Sequence, residues 1–203
     1  SPVVTVQNAV PDLRVISLAP PAVADTGAQI GVSWTVRNDG SLPATGTWYD
    51  RLYLSADNQL NAGDTSLGSF LHSGPLAVGD EYAVSRTVTL PGAVQGLYYV
   101  LMRTDVDNAV YEGITGGEDN NVSAAVPIQI NAADLRVSSL SVTGDPVLQS
   151  GALLTIGWQD ANNGNGATAG NWYDRVVVLN TATGETLLNT TVYYDAGANG
   201  AIG

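Results

Sequence analysis

Between residues 30 and 37 apolar and small or polar positions alternate strictly. Ile30, Val32, Trp34 and Val36 fall on one face of an extended chain, and Gly31, Ser33, Thr35 and Arg37 fall on the other. A period of two predicts a strand that buries the first set. Six more such segments, bounded by Gly, Pro, Asn and Asp clusters, are read near Leu13 to Leu18, Thr47 to Ser55, Ser66 to Leu71, Tyr82 to Leu90, Leu97 to Thr104 and Val122 to Ile130. Seven strands with turn signals between them predict an all-β sandwich. No segment carries a sustained 3.6-residue apolar stripe, so helix is expected to be nearly absent.

The pattern then repeats. Asp12-Leu13-Arg14-Val15 returns as Asp134-Leu135-Arg136-Val137, an offset of 122, while Trp34 returns as Trp158 and Trp48-Tyr49-Asp50-Arg51 returns as Trp172-Tyr173-Asp174-Arg175, an offset of 124. A unit of about 120 residues is too long for a solenoid repeat and has the size of a whole sandwich domain. The expected organisation is a linker at 1–10, a complete seven-stranded sandwich at 11–130, and at 131–203 the first half of a second sandwich, its first four strands without counterparts of the last three. A half sandwich leaves an apolar face and open edges in water. Its completion is expected from missing sequence, from an inserted domain or from strand exchange with a neighbouring molecule.

Asp12-Leu13-Arg14-Val15, Val36-Arg37-Asn38-Asp39-Gly40, the run from Asp57 to Leu67, and Glu118-Asp119-Asn120-Asn121 together resemble the CARDB family, a cell-adhesion-related domain of bacteria. The resemblance covers about 11–130 in full and 133–203 in part. It implies an immunoglobulin-like or fibronectin-like fold and a module of secreted or surface-anchored bacterial proteins, strung in arrays or appended to adhesins and extracellular enzymes. The second copy departs from the pattern at Asn180-Thr181-Ala182-Thr183-Gly184-Glu185, so no loop-borne metal site carries over there.

Charge narrows the partners. All 7 basic residues are arginines against 19 acids, for a net charge of −12. This leaves no cationic surface for nucleic acid or an anionic membrane. No run of apolar residues is long enough for a membrane span, and Ser1 is not an initiator methionine, so a piece of a longer protein is expected. Cysteine is absent, which excludes disulfides and thiolate metal sites.

Aspartate outnumbers glutamate 15 to 4, and asparagine also contributes 15. These short oxygen-bearing side chains suit turns and calcium. Two candidate metal sites follow, each weighed against a solvated acidic loop. One is the turn holding Asp57, Asn61 and Asp64. The other is the connection between the last two strands, where Asp105, Asp107, Asn108, Glu112, Glu118 and Asp119 crowd together; Asp105, Asp107 and Asp119 are the ligands chosen there. If strands alternate in direction, the 57–64 turn faces the joint with the second repeat, and calcium there would stiffen the array.

Trp34 and Trp158 are expected in cores. Trp48 and Trp172 begin a strand just after a loop and share its face with an aspartate and then apolar residues, so they are read as rim or core anchors, with stacking on a ligand as the alternative. Tyr98 suits a tyrosine corner. With one imidazole, His72, and no nucleophile motif, catalysis is not expected.

The function expected is a non-catalytic extracellular or cell-surface spacer or adhesion module, with calcium as the candidate stiffener. Its partners would be neighbouring domains of the same long chain and a cell-surface carbohydrate or protein target. The alternative is a recognition module for carbohydrate or protein, or an accessory domain of a secreted enzyme.

Overall fold

The computed structural model describes residues 9–113, 117–144, 151 and 153–203. The chain divides into two units, Ser1–Ile130 and Asn131–Gly203.

In the first unit the strands are β1 (Leu13–Ala19), β2 (Val23–Asp25), β3 (Gln29–Asn38), β4 (Thr47–Ser55), β5 (Thr65–Ser73), β6 (Glu81–Thr89), β7 (Gly96–Arg103) and β8 (Val126–Asn131). They form a three-stranded sheet in the order β1-β3-β6 and a five-stranded sheet in the order β2-β8-β7-β4-β5. The short β2 is an addition to the seven strands of the sequence pattern. Pro20-Pro21 interrupts the chain after β1, and a prolyl pair has no N–H for a ladder, so the segment leaves the first sheet and pairs beside β8 in the second. The last strand is also shorter than its sequence pattern. Val122 makes only an isolated bridge to Arg103, and the regular ladder begins at Val126.

The alternation in β3 does what its period dictates: Ile30, Val32, Trp34 and Val36 are at most 5% exposed. They meet Trp48, Leu52 and Leu54 of β4, Val100 and Met102 of β7, and Ile128 and Ile130 of β8 in one core. Burial of this kind contributes roughly 1.5–3 kcal/mol per large side chain. His72 lies on β5, an edge strand of its sheet, as expected. Tyr98 packs against the core, but among the described residues its hydroxyl has no hydrogen-bond partner, so it is not a tyrosine corner.

The motif Asn38-x-Gly40 has a structural reason. The side-chain carbonyl of Asn38 accepts from the N–H groups of Asp12 and Gly40, and its amide donates to the carbonyls of Leu42 and Leu76. At residue 40 a Cβ would stand 2.5 Å from the backbone of Pro11 and Asp12, so only glycine lets the loop close over the entry to β1.

The second unit contains β9 (Leu135–Gly144), β10 (Leu154–Asn162), β11 (Trp172–Leu179) and β12 (Thr186–Tyr194), followed by a single helical turn at Ala196–Asn199 capped by Asp195. They form two hairpins, β9 with β10 and β11 with β12. The loop device recurs: Asn162 accepts from Asp134 and Gly164 and donates to the carbonyls of Gly166 and Ile202.

Candidate metal centre

Three elements meet where the chain enters β1. Asp12 follows the entering segment, Asn38 ends β3, and Glu112 comes from the long connection between β7 and β8. Glu112 is 2% exposed, and its Oε2 accepts the N–H of Leu13 at 2.9 Å, tying the connection to the first residue of β1. Asn120 donates to the carboxylate of Asp12 at 2.9 Å from the other end of the connection.

Around Glu112 the acids gather. Carboxylate oxygens of Asp105, Glu112 and Glu118 all lie within 4.8 Å of one another. Asp105 is fully buried just after β7, and its two oxygens accept the N–H groups of Ala109 and Val110, each at 2.8 Å. This side chain folds its own loop and holds φ at 44°, a left-handed conformation that aspartate tolerates better than most residues. Buried Asn121 donates to Glu112 whichever way its amide is turned. At Gly117 a Cβ would collide with the backbone of Glu112, so glycine is needed for the turn that brings Glu118 in.

The electrostatics follow from crowding. Burial pushes the Glu112 carboxyl up to about 8 against the partial relief of the Leu13 N–H, and the charges of Glu118 and Asp12 push it further. Burial and then Asp105 raise Glu118 as well. Without a counter-charge, Glu112 therefore carries a proton near neutrality. The alternative is a cation. Hard oxygen donors at this spacing fit a divalent ion with metal–oxygen distances of about 2.3–2.6 Å, as calcium prefers, with carbonyls and water completing its shell.

The structure separates the expected site residues. Asp105 belongs to the cluster. Asp107 and Asp119 come from the same connection but are not in it; Glu112 and Glu118 stand in their places. Two of the chain's four glutamates fall within seven residues of each other there, which was the available signal. The 57–64 turn is a separate feature. Oδ1 of Asp57 accepts the N–H of Gln59 at 2.8 Å, Oδ2 of Asp64 accepts the N–H of Asn61 at 2.6 Å, and the Asn61 amide donates to Asp57. These acids shape their own turn.

Trp48 is not available for stacking on a ligand. It is 1% exposed, its ring packs on His72, and its indole N–H donates to the hydroxyl of Tyr82 at 3.0 Å. Its apolar strand face, more than its position after a loop, determined its fate. Trp172 is half-buried, stacked on Tyr194 with 4.0 Å between centroids, and donates to Asp160. Among the described residues no helix is long and apolar enough to cross a membrane.

Comparison with known proteins gives a family. The CARDB family model matches residues 10–125. A CARDB domain of Pyrococcus furiosus, crystallised in complex with di-metal ions, is 21% identical, with a TM-score of 0.45 over 63% of this chain and 94% of that one. A solution structure of a CARDB domain from the same organism is 22% identical, with a TM-score of 0.45 over 61% and 97%. A beta-glucosidase of Thermotoga neapolitana, in complex with alpha-D-glucose, is 12% identical, with a TM-score of 0.38 over 59% of this chain and 16% of that one. No curated protein matches the chain.

Proposed function

The chain belongs to the CARDB family, a bacterial domain of adhesion-related type, and we propose that it is a non-catalytic spacer or adhesion module of a larger extracellular or cell-surface protein, with calcium fastening the pole where the chain enters the sandwich. The observation that carries this reading is the position of the acidic cluster. Glu112 holds the first N–H of β1 with one oxygen while its carboxylate stands among Asp105 and Glu118. These three residues would hold the ion, which would supply the charge that lets Glu112 ionise in place. A long connection would then be fixed to the strand that receives the preceding polypeptide, and bending at that point would be restricted. On this reading the stiffening device is at the entry to β1. The 57–64 turn, which holds two carboxylates where this pole gathers three, is a poorer place for it.

A module of this kind transmits force and spacing through its fold, so its partners are neighbouring domains of the same protein. The test is a calorimetric titration of calcium into EDTA-stripped protein and into the Glu112→Gln variant. Saturable binding to the parent and its loss in the variant support the reading. Equal heats in the two proteins, or none in either, would contradict it.

A further inference from the structure

Strand β7 ends on an arginine. Val100 and Met102 of that strand are buried in the core, so by the period of two Leu101 and Arg103 fall on its outer face. The chain then runs through Thr104 into Asp105, the first carboxylate of the metal centre. From the far end of the connection Val122 bridges back to the backbone of Arg103, and the N–H of Thr104 donates to the carbonyl of Asn121. The segment carrying Glu112 and Glu118 is thereby closed at both ends beside Arg103. Three carboxylates and one of the chain's seven arginines are gathered by a single connection.

The guanidinium is held there without being paired off. Its Nη2 donates to Oδ1 of Asn108 at 3.0 Å, an amide of the same connection. Among the described residues its Nε is buried with no acceptor, and Arg103 forms no ion pair. Arg37, by contrast, grips both carboxylate oxygens of Asp39, the pairing that a guanidinium favours. The charge of Arg103 is nevertheless felt in the centre. Burial and then Asp105 push the Glu118 carboxyl up, while a backbone hydrogen bond from Glu112 and the charge of Arg103 hold it back. The neighbour across the sheet gives no support, because Arg51 of β4 lies directly opposite and like charges so placed repel. Arg51 turns to β5 instead, where its Nε donates to Ser69 at 2.7 Å.

We propose that Arg103 sets the charge preference of the metal centre: without ligating the ion it offsets one of the three carboxylates, which matches the site to a divalent cation over a trivalent one of the same size. The inference rests on the calcium reading of that site. Asp105, Glu112 and Glu118, ionised, together with the Arg103 guanidinium carry a net −2, the charge that one calcium ion neutralises. Asp12, the next acid, lies outside the three and is held by Asn120. Arginine suits the role because it stays charged throughout the range in which carboxylates titrate. A guanidinium that acts by charge alone leaves a distinctive signature. Its repulsion of a bound ion grows in proportion to that ion's charge, whereas a residue that only shapes the loop affects ions of one size alike.

Calcium alone and lanthanum alone, ions of similar size and different charge, test the proposal by calorimetric titration at one ionic strength. The proteins are the metal-stripped 203-residue chain, Arg103→Met, Arg103→Gln, Arg103→Lys and Arg51→Met, and the binding step compared is the one lost in Glu112→Gln. Either neutral residue at 103 is expected to tighten calcium about tenfold and lanthanum about thirtyfold, the ratio that a repulsion proportional to ion charge requires. Arg103→Lys keeps the charge and is expected to stay within about twofold of the parent for both ions. Arg51→Met makes the same change of net charge on the same sheet face, at a side chain turned away from the centre, and is expected to move either constant by no more than about twofold. The proposal alone is overturned if neither neutral variant tightens calcium, if both ions tighten equally, or if Arg51→Met tightens them as much. A parent chain with no saturable calcium binding overturns the calcium reading, and this inference with it.

Discussion

The indole N–H of Trp34 donates to Oδ2 of Asp50 at 2.8 Å across the sandwich, from β3 in one sheet to β4 in the other, with both residues 1% exposed. The Tyr82 hydroxyl and Thr104 converge on the same carboxylate, and Trp48 donates to Tyr82 in turn. A buried charge without such donors would cost several kcal/mol, so the network is what permits a carboxylate between the sheets.

Removing that carboxylate strands its donors. Asp50→Ala is expected to destabilise the first unit by about 3–5 kcal/mol, because the Trp34 N–H loses its acceptor in the core. Thr104→Val, which removes one donor of three, is expected to cost about 1–2 kcal/mol. Urea unfolding followed by tryptophan fluorescence measures both. Equal effects from the two substitutions would show that the carboxylate does not organise the network.

The glycine of the Asn38-x-Gly40 motif offers a sharper contrast. Gly40→Ala is expected to destabilise by about 2–4 kcal/mol, since its Cβ would press on the backbone entering β1. Gly63→Ala, where a Cβ would meet nothing within 4 Å, is expected to change stability by no more than about 0.5 kcal/mol. Thermal unfolding of the two variants side by side checks this, and a similar midpoint for both would contradict the steric account.

Much of this architecture was legible in the sequence. The period-two alternation at 30–37 named the residues that became the core, because a strand buried on one face permits no other reading. The repeat at Trp34/Trp158 and Asp50/Asp174 identified positions that later proved to be hydrogen-bonded pairs. What the sequence withheld was convergence. Glu112 and Glu118 meet Asp105 only because a long connection folds back over the start of β1, and spacing within a loop does not reveal such a return. Trp48 followed its strand face, which points inward, and so took the core-anchor reading in place of stacking on a ligand. The move of β2 into the other sheet follows from Pro20-Pro21, but where the displaced segment lands is set by the free edge of β8.

Glu112 at the entry pole and His72 on β5 act on stability with opposite signs. Burial raises Glu112 to about 8 from its ordinary 4.5, so between these values the folded chain holds a proton that the unfolded chain has released, and metal-free stability falls as pH rises from about 4.5 to about 8. His72 is pushed the other way by burial, which costs stability as pH falls below its ordinary 6.5. Between about pH 6.5 and pH 8 the Glu112 contribution therefore dominates, and the metal-free parent is expected to lose stability while Glu112→Gln stays nearly flat. Chemical denaturation in EDTA across this range measures the slope. A parent curve as flat as that of the variant would mean that Glu112 is ionised in the folded chain without a cation.

The most direct test of the entry-pole cation is a pair of thermal unfolding scans of the whole chain at neutral pH, one in excess EDTA and one in millimolar calcium, repeated on Glu112→Gln. Only differential binding to the folded chain raises the midpoint, by RT ln(1 + [Ca]/Kd) in free energy. The account predicts a clear upward shift in calcium for the parent and none for the variant. Superimposed parent scans, or a shift that survives in Glu112→Gln, would contradict it.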